Sequence, residues 1–398
     1  MSESLAVGDI VELTIDRIAH GGHCVGRVDG QVLFVRHTAP QEVVRAQVTG
    51  LGKGGKFAFA DAIEVLAAST HRITPACPYA GECGGCDFQH LDLGYQRELK
   101  RLVLIEQLVR LGKIDADSAL LKTLTVEPMS STDSGLNWRT RMEYATDSRG
   151  RIGLRRHGSN EVVTIDKCRV AAEEIATDGV TNRPWQANTE VRAVVTSTGE
   201  RQVVAEGLDE NPILREQVGE NTFNVFTRGF WQAHRSAPTV FTDTVLRLAK
   251  LKAGDHVLDL FAGAGLFSVP MLQAVGAGGR VDAVEGDPGA CKNLRSNVRA
   301  YPNAAAHVGS VDKWLAKSGL SRCDVVVLDP PRVGAGKVVV ERIAKLKPRT
   351  VVYVACDPAA LSRDIAYFGE RGYRVDSIEA FDAFPMSHHF ETVVSLSC

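Results

Sequence analysis

The sequence predicts an α/β protein, with a doubly wound parallel sheet in its C-terminal part, preceded by a small β-barrel and a β-rich central region. Three observations carry that prediction. From about residue 238 the apolar runs "HVLDLF", "RVDAVE", "DVVVLD" and "TVVYVAC" recur between helical stretches, and short, almost continuous apolar runs are strands covered on both faces. Residues 8–66 alternate instead. Val11, Leu13 and Ile15 are followed by "QVLFV" and "EVVRAQV", with Gly21, Gly22, Gly26, Gly30 and Gly50 as punctuation, the pattern of short barrel strands. Residues 121–228 are mixed, with hairpins expected at "DSRG" and "STGE". The expected partition is 1–68, 69–228 and 229–398.

Bulk properties limit the function classes. At 44% hydrophobic and 24% charged residues, the chain has the make-up of domains with full cores. It holds no apolar run of the roughly 18 residues a membrane span needs. The start, "MSESLAVGDIVEL", lacks the basic-then-apolar pattern of a signal peptide. A cytoplasmic location is therefore expected, where stable disulfides are rare. Nine cysteines then point to metal ligation, catalysis and ordinary buried thiols. The net charge of −2 announces no nucleic-acid partner. Locally, residues 139–156 carry Arg139, Arg141, Arg149, Arg151, Arg155 and Arg156 against Glu143 and Asp147, a balance of +4. That reads equally as a phosphate-neutralising stripe or as a solvated hairpin face.

Taken in order, the barrel loop "GLGKGGKFAFA" sets Lys53 and Lys56 beside Phe57 and Phe59, which suits RNA stacking or a plain hairpin connection. Next, "HRITPACPYAGECGGCDFQH" places Cys77, Cys83 and Cys86 at C-x5-C-x2-C spacing, and Cys168 is the only other cysteine between them and residue 290. Zinc sites favour two close cysteine pairs, whereas three clustered cysteines plus a distant one are more like an iron–sulfur site. Cys24, Cys291, Cys323 and Cys398 read as ordinary thiols. The stretch "YQRELKRLVLIEQLVRLG" spaces Leu99, Leu102, Val103, Leu108 and Val109 for a helix over 95–112, closed by Gly112 and expected to pack on the C-terminal domain.

Within that domain "VLDLFAGAGLFSVP" is a strand, a glycine turn and a helix start. Gly263 and Gly265 permit close backbone approach to a ligand. Ser268 stands where a dinucleotide fingerprint has its third glycine, and Glu285 ends the next strand, where a carboxylate accepts ribose hydroxyls. With Asp259 before the turn, this set resembles the S-adenosylmethionine site of class I methyltransferases. Asp329 ends a later strand in "LDPPR". Cys356 ends the next one, and Glu391 opens the last. A thiolate at C6 of uracil makes C5 nucleophilic, and a base must then remove the C5 proton. Cys356 and Glu391 suit those two roles, and Asp329 suits a hydrogen bond to the base edge. His388 and His389 are rival bases.

The motifs "GFWQAH", "DLFAGAG", "DPPR", "ACDPAALSRD" and "HHFETV" resemble those of the RNA uracil-5-methyltransferases, and the barrel resembles a TRAM domain, an OB-like RNA-binding fold. With the cysteine pattern, the likeness spans nearly the whole chain. It implies a class I methyltransferase, Rossmann-like sheet at 229–398 after a TRAM barrel at 1–68, with catalysis by Cys356 and Glu391. It implies S-adenosylmethionine bound by Gln232, Phe261, Gly263, Glu285, Ser310 and Asp329, and Phe230 near the target base. It also implies a [4Fe–4S] cluster on Cys77, Cys83, Cys86 and Cys168. The chain departs from the family at Leu266, often polar, and at Ser310, near which an Asp or Asn is usual. Barrel and cysteines together resemble the branch that acts on 23S rRNA, so a monomer acting on rRNA is expected. The alternatives are the same chemistry on tRNA, or an RNA-binding or assembly factor without catalysis. A redox iron–sulfur protein is a further, weaker reading.

Overall fold

The computed structural model describes residues 5–176, 179–207 and 211–398. Its N-terminal strands close into a barrel in the order Ile10–Ile18, Cys24–Val28, Gln31–Arg36, Phe57–Ala67, Val43–Leu51. Alternation decides which side chains fill it. Leu13, Ile15, Leu33, Val35, Val44 and Ala58 are buried inside. Phe88, Leu91, Leu99 and Val103 join the same core, so the segment after the barrel is packed onto it.

The helix expected over 95–112 runs from Leu93 to Arg110. It starts earlier because the Asp92 carboxylate accepts the Tyr95 N–H at 2.9 Å, an N-cap that apolar spacing does not reveal. It stops earlier because the Gly112 N–H turns back to the Gln107 carbonyl, 3.2 Å away. Leu99 and Val103 face the barrel core, while Leu104 and Leu108 enter the core of the C-terminal sheet.

That sheet has eight strands, in the order Ala304–Val308, Arg280–Glu285, His256–Leu260, Val325–Leu328, Thr350–Ala355, Glu391–Ser397, Arg374–Asp382, Val126–Pro128. The first five are mutually parallel. Glu391–Ser397 runs against both of its neighbours. All four apolar runs are thus strands of a doubly wound sheet. The eighth strand crosses the expected boundary between 69–228 and 229–398. Val126 pairs with Ala380, although its three residues are too few to show a period. The hairpin of Ile213–Val218 and Asn221–Phe226 crosses it as well, contributing Val218, Phe223 and Val225 to the C-terminal core.

The remaining central strands form an antiparallel sheet ordered Arg201–Ala205, Glu190–Val195, Arg141–Thr146, Ile152–Arg155, Val162–Thr164, with turns at both expected hairpins. Four arginines of the segment are ion-paired within the fold, which favours the hairpin face over the phosphate-neutralising stripe of the two readings. Arg141 is buried on Glu216 at 2.9 Å, and Arg151, Arg155 and Arg156 pair with Asp147, Glu190 and Glu161.

Candidate active site

Strand order reverses between His256–Leu260 and Val325–Leu328, and the crevice beyond such a point is where α/β sheets bind ligands. The turn after Leu260 is built for close approach. Phe261, a bulky residue, sits at φ 63°, with Gly263 at 56° and Gly265 at 90°. An aromatic residue held in the left-handed region is strained, and such strain gathers at binding sites. A Cβ on Gly263 would meet nothing within 4 Å, so its backbone lies open. Its N–H donates to Glu285 Oε2 at 2.7 Å, and Glu285 Oε1 accepts the Asp287 N–H at 2.7 Å. Those bonds aim the carboxylate of Glu285 at the strand end.

Asp259 and Asp329 stand beside it. Asp259 is buried and accepts the Ser268 hydroxyl. Burial, eased by Ser268 and reinforced by Glu285, pushes its carboxyl up to about 7. Burial and the charges of Asp259 and Glu285 push Asp329 up to about 7 as well. Carboxylates crowded together without a cation suit a ligand that brings positive charge. The sulfonium and ammonium of S-adenosylmethionine fit that requirement, and the open Gly263 backbone fits its approach.

Other expected cofactor residues are placed less directly. Ser310 is exposed, and its hydroxyl donates to Asp312. Leu266 is a core residue. Gln232 is buried beside a separate cavity of about 120 Å³ shared with Thr140, Trp231 and His234. Phe230 is 69% exposed and does not line the cavity of the candidate nucleophile.

That cavity, of about 230 Å³, is lined by Cys356, Arg332, His388, His389, Lys100 and the loop Ile18–Gly22 among others. Sheet topology brings its key groups together. The last strand runs backwards, so Ala355 pairs with Thr392, which sets Cys356 at one strand's end against Glu391 at the other's start. Glu391 is 6% exposed. Burial and the charge of Asp329 raise its carboxyl well above the usual range, and Arg332 opposes them. Burial, Glu391 and Asp329 push the half-buried Cys356 thiol up to about 12, and Arg332 again pulls it down. The two histidines are otherwise engaged. His388 Nδ1 lies 2.6 Å from Asp87 Oδ2. His389 Nε2 lies 3.3 Å from an Arg332 nitrogen, and burial, His388 and Arg332 hold its ring down to about 3.

The four expected metal ligands converge on a different cavity, of about 40 Å³, lined by Cys77, Cys83, Cys86 and Cys168. All four are free thiols. Burial pushes Cys83 up to about 11 and Cys86 up to about 12, with neighbouring cysteines adding to both. Even so, no three His, Cys, Asp or Glu side chains are grouped to hold a metal ion among the described residues. The cysteines are gathered but not closed into a ligand set.

Three family models match the chain. The TRAM domain covers residues 5–63, the TRM5/TYW2 methyltransferase domain 242–313, and tRNA (Uracil-5-)-methyltransferase 317–398. An uncharacterized RNA methyltransferase of Streptomyces coelicolor is 38% identical over 98% of this chain and 93% of its own. One from Streptomyces avermitilis is 39% identical over 98% of each. The chain belongs to the TRAM-bearing RNA uracil-5-methyltransferase family. Among solved structures, the Pyrococcus abyssi tRNA (uracil-54, C5)-methyltransferase, in complex with S-adenosyl-L-homocysteine, superposes with TM-score 0.71. The superposition covers 96% of this chain and 99% of that one at 21% identity, a shared class I methyltransferase fold.

Two features of this methyltransferase's site carry no signal in the sequence. The barrel forms part of the cavity wall, and His20 Nε2 meets Asp357 Oδ2 at 3.0 Å across a separation of 337 residues. Lys100, buried in the helix Leu93–Arg110, reaches Asp382 Oδ1 at the end of the strand Arg374–Asp382 at 2.5 Å and donates to the Phe384 carbonyl at 3.2 Å, and so ties that helix to the loop before Glu391. Arg332, the last residue of the "DPPR" motif, is the cation that opposes the raised pKa of both Cys356 and Glu391.

Proposed function

We propose that this protein methylates C5 of uracil in structured RNA, most specifically 23S rRNA, with Cys356 as nucleophile and Glu391 as base. The observation that carries the proposal is the pairing of a thiol with a buried carboxylate that has no cation bonded to it, at facing strand ends. The Arg332 guanidinium favours the thiolate of Cys356. That thiolate adds to C6, and the C5–C6 electron pair moves into an enolate that makes C5 nucleophilic. Gly263, Glu285, Asp259 and Asp329 would hold S-adenosylmethionine, which would supply the methyl group that C5 attacks and would leave as S-adenosylhomocysteine. Glu391 then takes the C5 proton, the C5–C6 double bond re-forms, and the thiolate of Cys356 leaves. Burial and the charge of Asp329 raise the affinity of Glu391 for a proton, which suits a base. Asp329 orients the base edge through a hydrogen bond. The target must leave its stack to reach a buried thiol, and RNA loops make that least costly.

The barrel and the four gathered cysteines support the rRNA branch. A tRNA substrate is the second reading, favoured by the description of the family model over 317–398. We assign Cys77, Cys83, Cys86 and Cys168 to a [4Fe–4S] cluster that pins the cysteine segment structurally, and anaerobic purification with iron and sulfide analysis tests it. Zinc without sulfide overturns that assignment.

Labelled S-adenosylmethionine with separate rRNA and tRNA pools tests the substrate. Incorporation into rRNA is expected, and incorporation only into tRNA selects the second reading. RNA carrying 5-fluorouridine tests the chemistry, because fluorine in place of the C5 proton blocks the elimination. A denaturation-resistant protein–RNA adduct is expected for the wild type and not for Cys356→Ala. No adduct with either protein, with cofactor bound, favours a binding factor without catalysis.

A further inference from the structure

The barrel carries a feature its own stability does not require. Leu33, Val35, Ala58 and Ala60 already fill its interior. Phe34, Phe57 and Phe59 alternate with them and so lie on the outer face. Phe34 pairs directly with Phe59 across parallel strands. The three rings form a contiguous group, with centroids 5.6 Å apart for Phe34–Phe57, 5.7 Å for Phe34–Phe59 and 5.5 Å for Phe57–Phe59. Phe59 is 38% exposed. An outward cluster of large aromatic side chains on a small barrel marks a contact surface.

Position says what the contact is. His23 extends the ring cluster, 5.6 Å from Phe59 and 6.4 Å from Phe34. Burial lowers its pKa, which leaves a neutral ring suited to stacking. Its neighbour Gly22 lies so close to the catalytic loop that an added Cβ would sit 2.7 Å from His388 Cβ. Gly22 and His388 both line the Cys356 cavity. The rings therefore lead, through His23 and Gly22, to the nucleophile. At the far side, exposed Lys53 and Lys56 flank Phe57, where they can neutralise phosphates.

We propose that Phe34, Phe57, Phe59 and His23 form a base-stacking platform for unpaired nucleotides adjoining the target uridine, which delivers the RNA strand into the Cys356 cavity. The proposal rests on the reading of this cavity as the uracil site. Every base offers a π-face, so the platform binds single-stranded RNA with little sequence preference and leaves selection of the target to the cavity. It also makes the barrel a working part of the site rather than a remote tether.

The test measures binding of a short single-stranded RNA of uridine and adenosine, intact or with abasic positions beside one uridine. Phe34→Ala/Phe59→Ala should weaken binding of the intact RNA at least about tenfold, the size expected for losing stacking on two rings. Abasic flanks should weaken wild-type binding by a similar factor and double-variant binding far less. The salt dependence should stay unchanged in the double variant, because no phosphate contact is lost, and fall in Lys53→Ala/Lys56→Ala. Phe59→Trp should keep wild-type affinity, and an unchanged melting temperature and S-adenosylmethionine affinity should show that the double variant is folded. Binding of the intact RNA within twofold of wild type overturns the platform. So does an equal loss on abasic flanks in the wild type and the double variant. A stacking dependence seen in a protein that forms no 5-fluorouridine adduct would keep the platform and remove the proposed chemistry.

Discussion

One sheet holds two sets of carboxylates that differ in their company. Asp282, on the strand Arg280–Glu285, is 1% exposed and accepts His256 Nε2 and His307 Nε2, each at 2.7 Å, and Arg280 at 2.8 Å. Burial alone would raise its pKa, but His256, His307 and Arg280 hold it far below the usual carboxylate range. At the edge of the sheet where the parallel strands end and Glu391 opens its antiparallel neighbour, Asp259, Asp329 and Glu391 are also desolvated, yet no cation hydrogen-bonds them among the described residues. Their pKa values rise instead. Burial is common to both sets, so what separates them is the presence of partners. The first set closes the fold. In the proposed mechanism the second serves a cationic ligand and a proton to be moved.

The sharpest way to test that contrast is to remove one carboxylate from the open set. Glu391→Gln keeps the shape and deletes the base. Turnover should fall about 10²–10⁴-fold, the usual weight of a positioned general base. Because addition by Cys356 precedes the lost step, ordinary uridine RNA should now accumulate a covalent adduct visible on a denaturing gel. Wild-type turnover, or loss of turnover without any adduct, would mean that Glu391 is merely a buried acid.

The complementary change is Asp282→Asn. It leaves Arg280 and two histidines facing an amide, and should lower stability by about 2 kcal/mol. That lies toward the low end for breaking a buried hydrogen-bonded charge, since Arg280 is 57% exposed on its side chain. The Km for RNA and the rate at saturation should not move. The pH dependence has a definite sign. Asp282 is depressed when folded, so its stabilisation is present above the unfolded value of about 4 and is lost as pH falls below it. The Asp282 contribution to the melting temperature should therefore hold from pH 7 to about pH 4 and decline below that in the wild type, and the variant should lack that decline.

What the sequence made legible follows the same division. The four apolar runs, the barrel alternation and the strand-end positions of Asp329, Cys356 and Glu391 are local patterns, and each could be read from the chain. Contacts joining distant segments could not. Nothing near His20 hints at Asp357, and nothing in the helix Leu93–Arg110 announces that Lys100 reaches Asp382. The edge strand Val126–Pro128 is too short to show a period, and its place is set only by Arg374–Asp382 beside it. The arginine segment stayed ambiguous for a related reason. Its acidic partners Glu190 and Glu216 lie far along the chain, outside any local charge count.

The smallest effect is the most specific to the open set. Asp259 and Asp329 both stand at about 7, so near neutral pH each is partly protonated in the empty site. A sulfonium and an ammonium entering beside them favour the charged carboxylates and expel those protons. Calorimetry in buffers of different ionisation enthalpy should then register release of a fraction of a proton on S-adenosylmethionine binding at pH 7, and affinity should rise from pH 6 to pH 8. S-adenosylhomocysteine, which lacks the sulfonium charge, should release less. Stability should move oppositely to that from Asp282. A carboxyl raised on folding contributes fully below about pH 4, and that contribution is lost as pH rises through about 7. The ligand-free protein should therefore soften from about pH 4 to about pH 7 and change little above that, and the bound protein should soften less. If proton release were the same for both ligands, the acids would be answering the ammonium alone, and Asp329 would lose its place beside the methyl group.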